Sequence, residues 1–111
     1  MPQLEKRLEN ASATMSFGQA DLARALATTP RTISRWLHGE TAPRGEARER
    51  LLEVLHVFDQ LSRVLQPAAA HDWLLSPNAL LGHEKPIELL REGEYRQVLG
   101  AVEALAEGVF V

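Results

Sequence analysis

No cysteine occurs in the 111 residues. That excludes disulfides and Cys-based zinc sites, and it is the usage expected in a reducing cytosol. No apolar run approaches the roughly 20 residues of a membrane span, so no membrane association is expected. The opening, MPQLEKRLEN, carries charges and no apolar h-region, so a secretory signal is not expected either. Also missing is any sustained alternation of apolar and polar residues, the mark of a half-buried strand. Internal repeats and low-complexity segments are absent. A strong basic surplus is lacking as well. The net charge is −3, but residues 1–50 hold eight Lys/Arg against six Asp/Glu, while residues 51–111 hold four against nine. A faintly basic front and an acidic back point to two different partners. The surplus of +2 in front is too small to argue nucleic-acid binding from charge alone.

What is present is helical signal throughout. The pattern predicts an all-α fold, a small helical bundle of ordinary globular composition, with 45% hydrophobic and 24% charged residues. A first helix is expected over 3–12, burying Leu4, Leu8 and Ala11. Ser16 with Gln19 three residues on reads as a capping box that opens a second helix, its buried face Leu22, Ala23 and Leu26. Thr29-Pro30 reads as an N-cap followed by proline at the first helical position, opening a third helix that ends near His38. A long helix is expected over 46–65, with Leu51, Val54, Leu55, Phe58, Leu61 and Leu65 close to an a/d repeat. Bundle core is favoured for that stripe over a dimer seam, because two heptads are short for a coiled coil. Pro67 starts a helix through Trp73 and Leu75. Ser76-Pro77 caps a helical turn that Gly82 ends, and Pro86 starts a helix that Gly93 stops. The last helix, 94–106, carries Tyr95, Val98, Leu99, Val102, Leu105 and Ala106 on one stripe that reads as core, with Arg96, Gln97, Glu103 and Glu107 facing water. Gly108 then ends it, and the chain finishes on Val109, Phe110 and Val111.

Residues 19–39, QADLARALATTPRTISRWLHG, have the layout of a helix-turn-helix. Ala23 is small where two helices cross, Leu22 and Leu26 point inward, and Ile33 and Trp36 meet them. TISRW followed by Gly39 is the most specific part, and the stretch resembles Xre-type DNA-binding repressors. The resemblance implies that the second helix enters the major groove, with Arg31, Ser34, Arg35 and His38 outward and Thr29 at a phosphate. Arginine is the side chain best shaped to read guanine O6 and N7, and Arg44 and Arg48 sit where they would hold the DNA backbone. Two departures stand out. Ala27 occupies the family's turn-glycine position, and Pro30 removes a donor from a slot that often reaches a base. A scaffold kept only for packing is the blander reading.

From Trp73 the chain reads WLLSPNALLGHEKPIELLREGEYRQVLGAVEALAEGVFV. Trp73, Pro77, Asn78, Leu81, Pro86, Leu89, Gly93, Val98, Gly108 and Phe110 fall on a pattern similar to the toxin-binding domain of the Xre/MbcA/ParS antitoxins. The prolines and glycines punctuate short helices at fixed points, Asn78 is placed to cap a neighbouring backbone, and Trp73 reads as core. For the tail, one reading has Phe110 fold back onto its own bundle; the other has an apolar plug presented to a partner. The resemblance implies the plug, entering the cleft of a RES-domain toxin that consumes NAD. It places the toxin-binding surface at Trp73, Pro77, Asn78, Tyr95, Gly108, Val109, Phe110 and Val111.

Enzymatic chemistry finds little support. His38, His56, His71 and His83 include no i, i+4 pair, His71-Asp72 alone is weak evidence of a metal site, and neither a phosphate loop nor a nucleophile elbow occurs. No cofactor, metal or small-molecule substrate is expected. The resulting expectation is a cytoplasmic type II antitoxin in three parts: a helix-turn-helix region over 1–45, a connecting helix over 46–66, and a toxin-binding domain over 67–111. Its partners are a RES-domain toxin, operator DNA and a second copy of itself as a homodimer. The rival is a stand-alone transcription regulator whose C-terminal half only dimerises.

Overall fold

The computed structural model describes residues 2–108. Seven α-helices follow one another: α1 (Pro2–Thr14), α2 (Gln19–Ala25), α3 (Pro30–Leu37), α4 (Gly45–Ser62), α5 (Pro67–Leu75), α6 (Pro86–Arg91) and α7 (Tyr95–Ala106), with a 3-10 turn at Ala79–Leu81 between α5 and α6. The all-α expectation holds: among the described residues the only strand-like pairing is an isolated bridge between Asn78 and Glu84.

After α1, prolines open three of the remaining helices. Pro30, Pro67 and Pro86 each sit within the first turn of α3, α5 and α6, where a missing N–H costs nothing and φ is already helical. The helix ends are set by left-handed residues. Gly39 and Gly93 follow α3 and α6 at φ 72° and 86°. Behind each, the next N–H reaches back five residues: Glu40 to the Arg35 carbonyl at 2.9 Å and Glu94 to the Leu89 carbonyl at 2.8 Å. This is the Schellman pattern.

The same pattern corrects the expected capping box. Ser16 caps nothing; it is the left-handed residue that ends α1, at φ 54°. Phe17 N–H donates to the Ser12 carbonyl at 2.8 Å and Ser16 N–H to that of Ala13 at 3.3 Å, and the Ser12 hydroxyl donates to the Phe17 carbonyl. The reversal drives Phe17 into the core, edge-on to Phe58 and His71 with ring centroids 5.5 and 5.3 Å away. α2 therefore starts only at Gln19, with Gly18 in the cap position and no side-chain cap. A second correction concerns Ser76-Pro77. The cap of the 3-10 turn is Asn78, whose Oδ1 accepts from Leu80 N–H at 2.9 Å, while the Ser76 hydroxyl donates back to the Asp72 carbonyl at 2.6 Å. α4 also ends sooner than its apolar repeat, at Ser62.

α4 is the central element. It packs on α1, α5 and α7, while α2 packs on α3 and α6. Leu51, Val54, Leu55, Phe58 and Leu61 are all buried and Leu65 is half-buried against them, so the α4 stripe is core within one chain. One continuous apolar cluster runs from Leu4 to Val102, and the three segments drawn from the sequence share it. Polar ties reinforce the joint at α6. Arg24 Nε and Nη2 both donate to Glu88 Oε2, joining α2 to α6, and Arg50 Nη1 donates to the Arg91 carbonyl at 2.7 Å. A Cβ at Gly93 would stand 3.0 Å from Arg50 Nη2, the tip of a flexible side chain, so it is the φ of 86° that calls for glycine there.

Ala27 does adopt the left-handed conformation, at φ 55°. Thr28 N–H donates to the Ala23 carbonyl at 2.9 Å and Ala27 N–H to that of Arg24 at 3.2 Å, so α2 ends as α1 does, with alanine doing glycine's work. A non-glycine residue there costs about 1–2 kcal/mol, whereas glycine adds roughly 0.4–1 kcal/mol of unfolded-state entropy. Ala27 is exposed, so no packing is lost on truncation. Ala27→Gly should therefore stabilise by about 0.5–1 kcal/mol and raise the thermal melting midpoint by roughly 2–6 °C. A lowered midpoint would refute the strain argument.

Candidate functional site

The α2–α3 pair places the first group of candidate residues. Thr29 caps α3: its Oγ1 accepts from Thr32 N–H at 3.2 Å and lies 3.0 Å from Thr32 Oγ1. Ile33 and Trp36 face inward, buried with Leu22, Ala23 and Leu26. This fixes the rotation of α3, and Arg31, Arg35 and His38 fall on its exposed side at i, i+4 and i+7. Ser34 is half-buried. His38 Nδ1 lies 2.7 Å from the Ser34 carbonyl. A carbonyl only accepts, so Nδ1 carries a proton there. Arg44 stands at the cap position of α4 and Arg48 one turn into it, both exposed. Among the described residues no carboxylate is paired with Arg31, Arg35, Arg44 or Arg48. Exposed Glu40, Glu46 and Glu49 are interspersed with them along the chain, and dilute the positive field.

The second group lies at the other end of the chain, and its members differ in accessibility. Trp73 is half-buried against the core, its Nε1 shut off from solvent with no partner among the described residues; a donor left in that state costs roughly 1–3 kcal/mol. Pro77 is exposed. Asn78 is 4% exposed, and its Oδ1, N–H and carbonyl are spent on its own loop. Besides the Oδ1 cap, its N–H donates to the Glu84 carbonyl at 3.1 Å and its carbonyl accepts from Leu81 and His83 at 2.9 and 2.8 Å. Asn78 therefore shapes the loop and leaves the surface to its neighbours. Tyr95, Leu99 and Leu105 are half-buried against the core, while Val98, Ala101 and Val102 form the buried centre of α7. The expected α7 stripe is thus a core face with soft edges, and Ala106 at its end is exposed. Gly108, at φ 87°, donates to the Leu105 carbonyl at 3.1 Å and ends the helix. Val109, Phe110 and Val111 lie outside the described residues.

Two surface residues escaped the sequence reading. Leu80 is 50% exposed and Val64 36%; they are the large apolar residues left on the surface among those described. Leu80 had a faint signal, since Leu80 and Leu81 are adjacent and a 3-10 turn cannot bury both. Val64 had less: it lies just beyond the end of α4, off the buried stripe.

Residues 53–108 match the family model described as the antitoxin Xre/MbcA/ParS C-terminal toxin-binding domain. This chain belongs to the Xre/MbcA/ParS antitoxin family. The antitoxin is 46% identical to the mycobacterial cidal antitoxin MbcA of Mycobacterium tuberculosis over 75% of this chain and 74% of that protein. It is 30% identical to a probable mycobacterial cidal antitoxin of the same organism, over 93% of this chain and 90% of the relative. Among solved structures, a chain of the crystal structure of the M. tuberculosis MbcT–MbcA toxin–antitoxin complex superposes with a TM-score of 0.85 at 37% identity, covering 97% of each chain. The matched family segment begins inside α4 and ends at Gly108, so Val64 and Leu80 both fall within it. Among the described residues no helix is long and apolar enough to cross a membrane, and no three metal-ligating side chains cluster.

Proposed function

We propose that this antitoxin inhibits a RES-domain, NAD-consuming toxin by placing Val109, Phe110 and Val111 in the toxin's cleft, and that it represses its own operon through a helix-turn-helix formed by α2 and α3. The observation that carries the toxin half is the likeness, over 97% of the chain, to a chain of the MbcT–MbcA complex. The apolar ending supports the plug, because three large apolar residues after a helix stop have no reason to remain in water. The division of labour follows: residues 1–45 serve the operator, 46–66 join the halves, and 67–111 serve the toxin, all in the cytoplasm. Co-expression with the neighbouring toxin gene tests the first half. A stoichiometric complex that protects growth is the expected result; a free antitoxin recovered beside an active toxin would overturn it.

Exposed Arg31 and Arg35 on one face of α3 support the operator half. Replacing either by alanine should cost about 1–3 kcal/mol of operator binding if it reads a base. Arg48→Ala should weaken all sequences alike and reduce the salt slope by about one. Gel shifts with the promoter upstream of the gene decide this; wild-type binding by both α3 variants would move DNA recognition elsewhere. Operator binding is as a homodimer, and the dimer uses a surface other than the α4 stripe, which is occupied within each chain.

A further inference from the structure

α6 ends beside the start of α3. Between them lies an open hollow of about 410 Å³, walled by Arg24 of α2, by Thr28, Thr29 and Pro30 at the turn, and by Arg91 at the end of α6. We infer that Arg91 is part of the operator-binding surface and holds a phosphate of the DNA backbone at this end of α3. The inference rests on the proposed reading of α2 and α3 as a helix-turn-helix. It extends that surface to a residue sixty positions after Arg31, inside the segment 53–108 matched to the toxin-binding domain.

Charge is the first argument. Arg24 Nε and Nη2 are both committed to Glu88 Oε2, so that pair adds no net charge. Arg91 is exposed, and among the described residues no carboxylate is paired with it. Two acidic residues follow it closely. Glu94 Oε2 is engaged with Gln97 Nε2 at 3.0 Å, and Glu92 is exposed at the cap of α6. The hollow thus carries one cation available to an anion. Beside it the half-buried Thr28 has a hydroxyl with no hydrogen bond among the described residues.

Position is the second argument. The eight residues of α3 span about 12 Å, the width of the major groove, so phosphates come within reach of both helix ends. Arg44 and Arg48 follow the C-terminal end, and Arg91 supplies a cation at the N-terminal end. Contacts of this kind fix the register of a recognition helix. Pro30 has no N–H to offer a phosphate, and Arg91 puts a charged donor beside it.

The fold also holds Arg91 in place. The Arg24–Glu88 pair ties α6 to α2, and Arg50 of α4 donates to the Arg91 carbonyl at 2.7 Å. Leu89 and Leu90 of α6 are buried in the same cluster as Ile33 and Trp36 of α3. The spacing from Arg91 to Arg31 is therefore set by packing, as a register contact requires. One exposed cation holds a free anion only weakly. Operator DNA is the occupant because the contacts of α3 deliver its phosphates to the hollow.

The test is titration of the full-length antitoxin by fluorescence anisotropy, between about 50 and 200 mM salt. One duplex is the promoter upstream of its gene, the other a scrambled sequence of equal length. Arg91→Gln should weaken both alike, by roughly five- to tenfold per bound protomer near 0.1 M salt, and lower the salt slope by about one per protomer. Arg91→Lys should keep the slope. Arg31→Ala, run alongside, should weaken the promoter duplex selectively, and all three variants should melt as wild type does. If Arg31→Ala loses the promoter while Arg91→Gln keeps the wild-type slope, the inference falls and the helix-turn-helix reading stands. If wild type binds neither duplex, that reading has failed and the role of Arg91 falls with it. A loss by Arg91→Gln that is confined to the promoter, shared equally by Arg91→Lys, or accompanied by a lower melting midpoint would mean that Arg91 acts through a base or through the placement of α3. Any of these overturns the phosphate assignment.

Discussion

Deleting Val109, Phe110 and Val111 should weaken toxin binding by about 3–5 kcal/mol, on the order of a hundred- to several-thousandfold. Each apolar side chain of this size gains roughly 1.5–3 kcal/mol on leaving water, and ordering a free terminus returns part of the sum. The fold should survive. Gly108 already closes α7 through its bond to the Leu105 carbonyl, and the described core ends at Val102. Operator binding should be unchanged, since α3 presents its arginines on a different surface. The readout is growth rescue in cells expressing the toxin, beside thermal melting of the truncated antitoxin. Lost rescue with an unchanged melt supports the plug. Lost rescue with a collapsed melt means that Phe110 belongs to the antitoxin's own core. Full rescue leaves inhibition to the helix faces between Trp73 and Glu107.

Helix starts were legible in the sequence wherever a proline announced them. Pro30, Pro67 and Pro86 act locally, through a fixed φ and a missing donor, and tertiary packing has little to override. The α4 core face was legible because five of its six predicted positions are buried and the sixth half-buried. Ser16 was misread for a physical reason. Ser-x-x-Gln is favourable at a helix start, but Ser12, Ala13, Ser16 and Phe17 together satisfy a helix end, and the choice falls to the burial of Phe17 between Phe58 and His71. Those partners stand more than forty residues away in sequence, beyond any local pattern. Ser76-Pro77 failed similarly: two plausible caps, Ser76 and Asn78, flank Pro77, and Asn78 is selected because the loop closes on Glu84.

The candidate sites divide along the same line. Outward positions on α3 followed from helical period once Ile33 and Trp36 were fixed as core. Asn78 was legible as a capping residue, whereas its burial was not. Val64 and Leu80 were missed because exposure of an apolar residue is decided by where a helix stops. α4 ends at Ser62, three residues short of its apolar repeat, and that leaves Val64 at the surface beside the end of α7.

The largest stability effect should come from Phe58→Ala. Phe58 is 2% exposed, in the middle of α4, and packs edge-on to Phe17 with ring planes at 84°. Truncating a buried phenylalanine costs about 3–5 kcal/mol, the lost transfer energy plus the cavity, and the edge-to-face pair adds to it. For a domain of this size the melting midpoint should fall by roughly 10–30 °C. The decisive control is protein concentration. A residue in the core of one chain lowers the midpoint equally at every concentration. A residue in a dimer seam lowers it less as concentration rises, because mass action restores the pair. Phe58 packs on Phe17, which in turn meets His71 of α5, within a single chain, so the drop should be the same at micromolar and at hundreds of micromolar. A drop that vanishes at high concentration would return the α4 stripe to the interface between two copies.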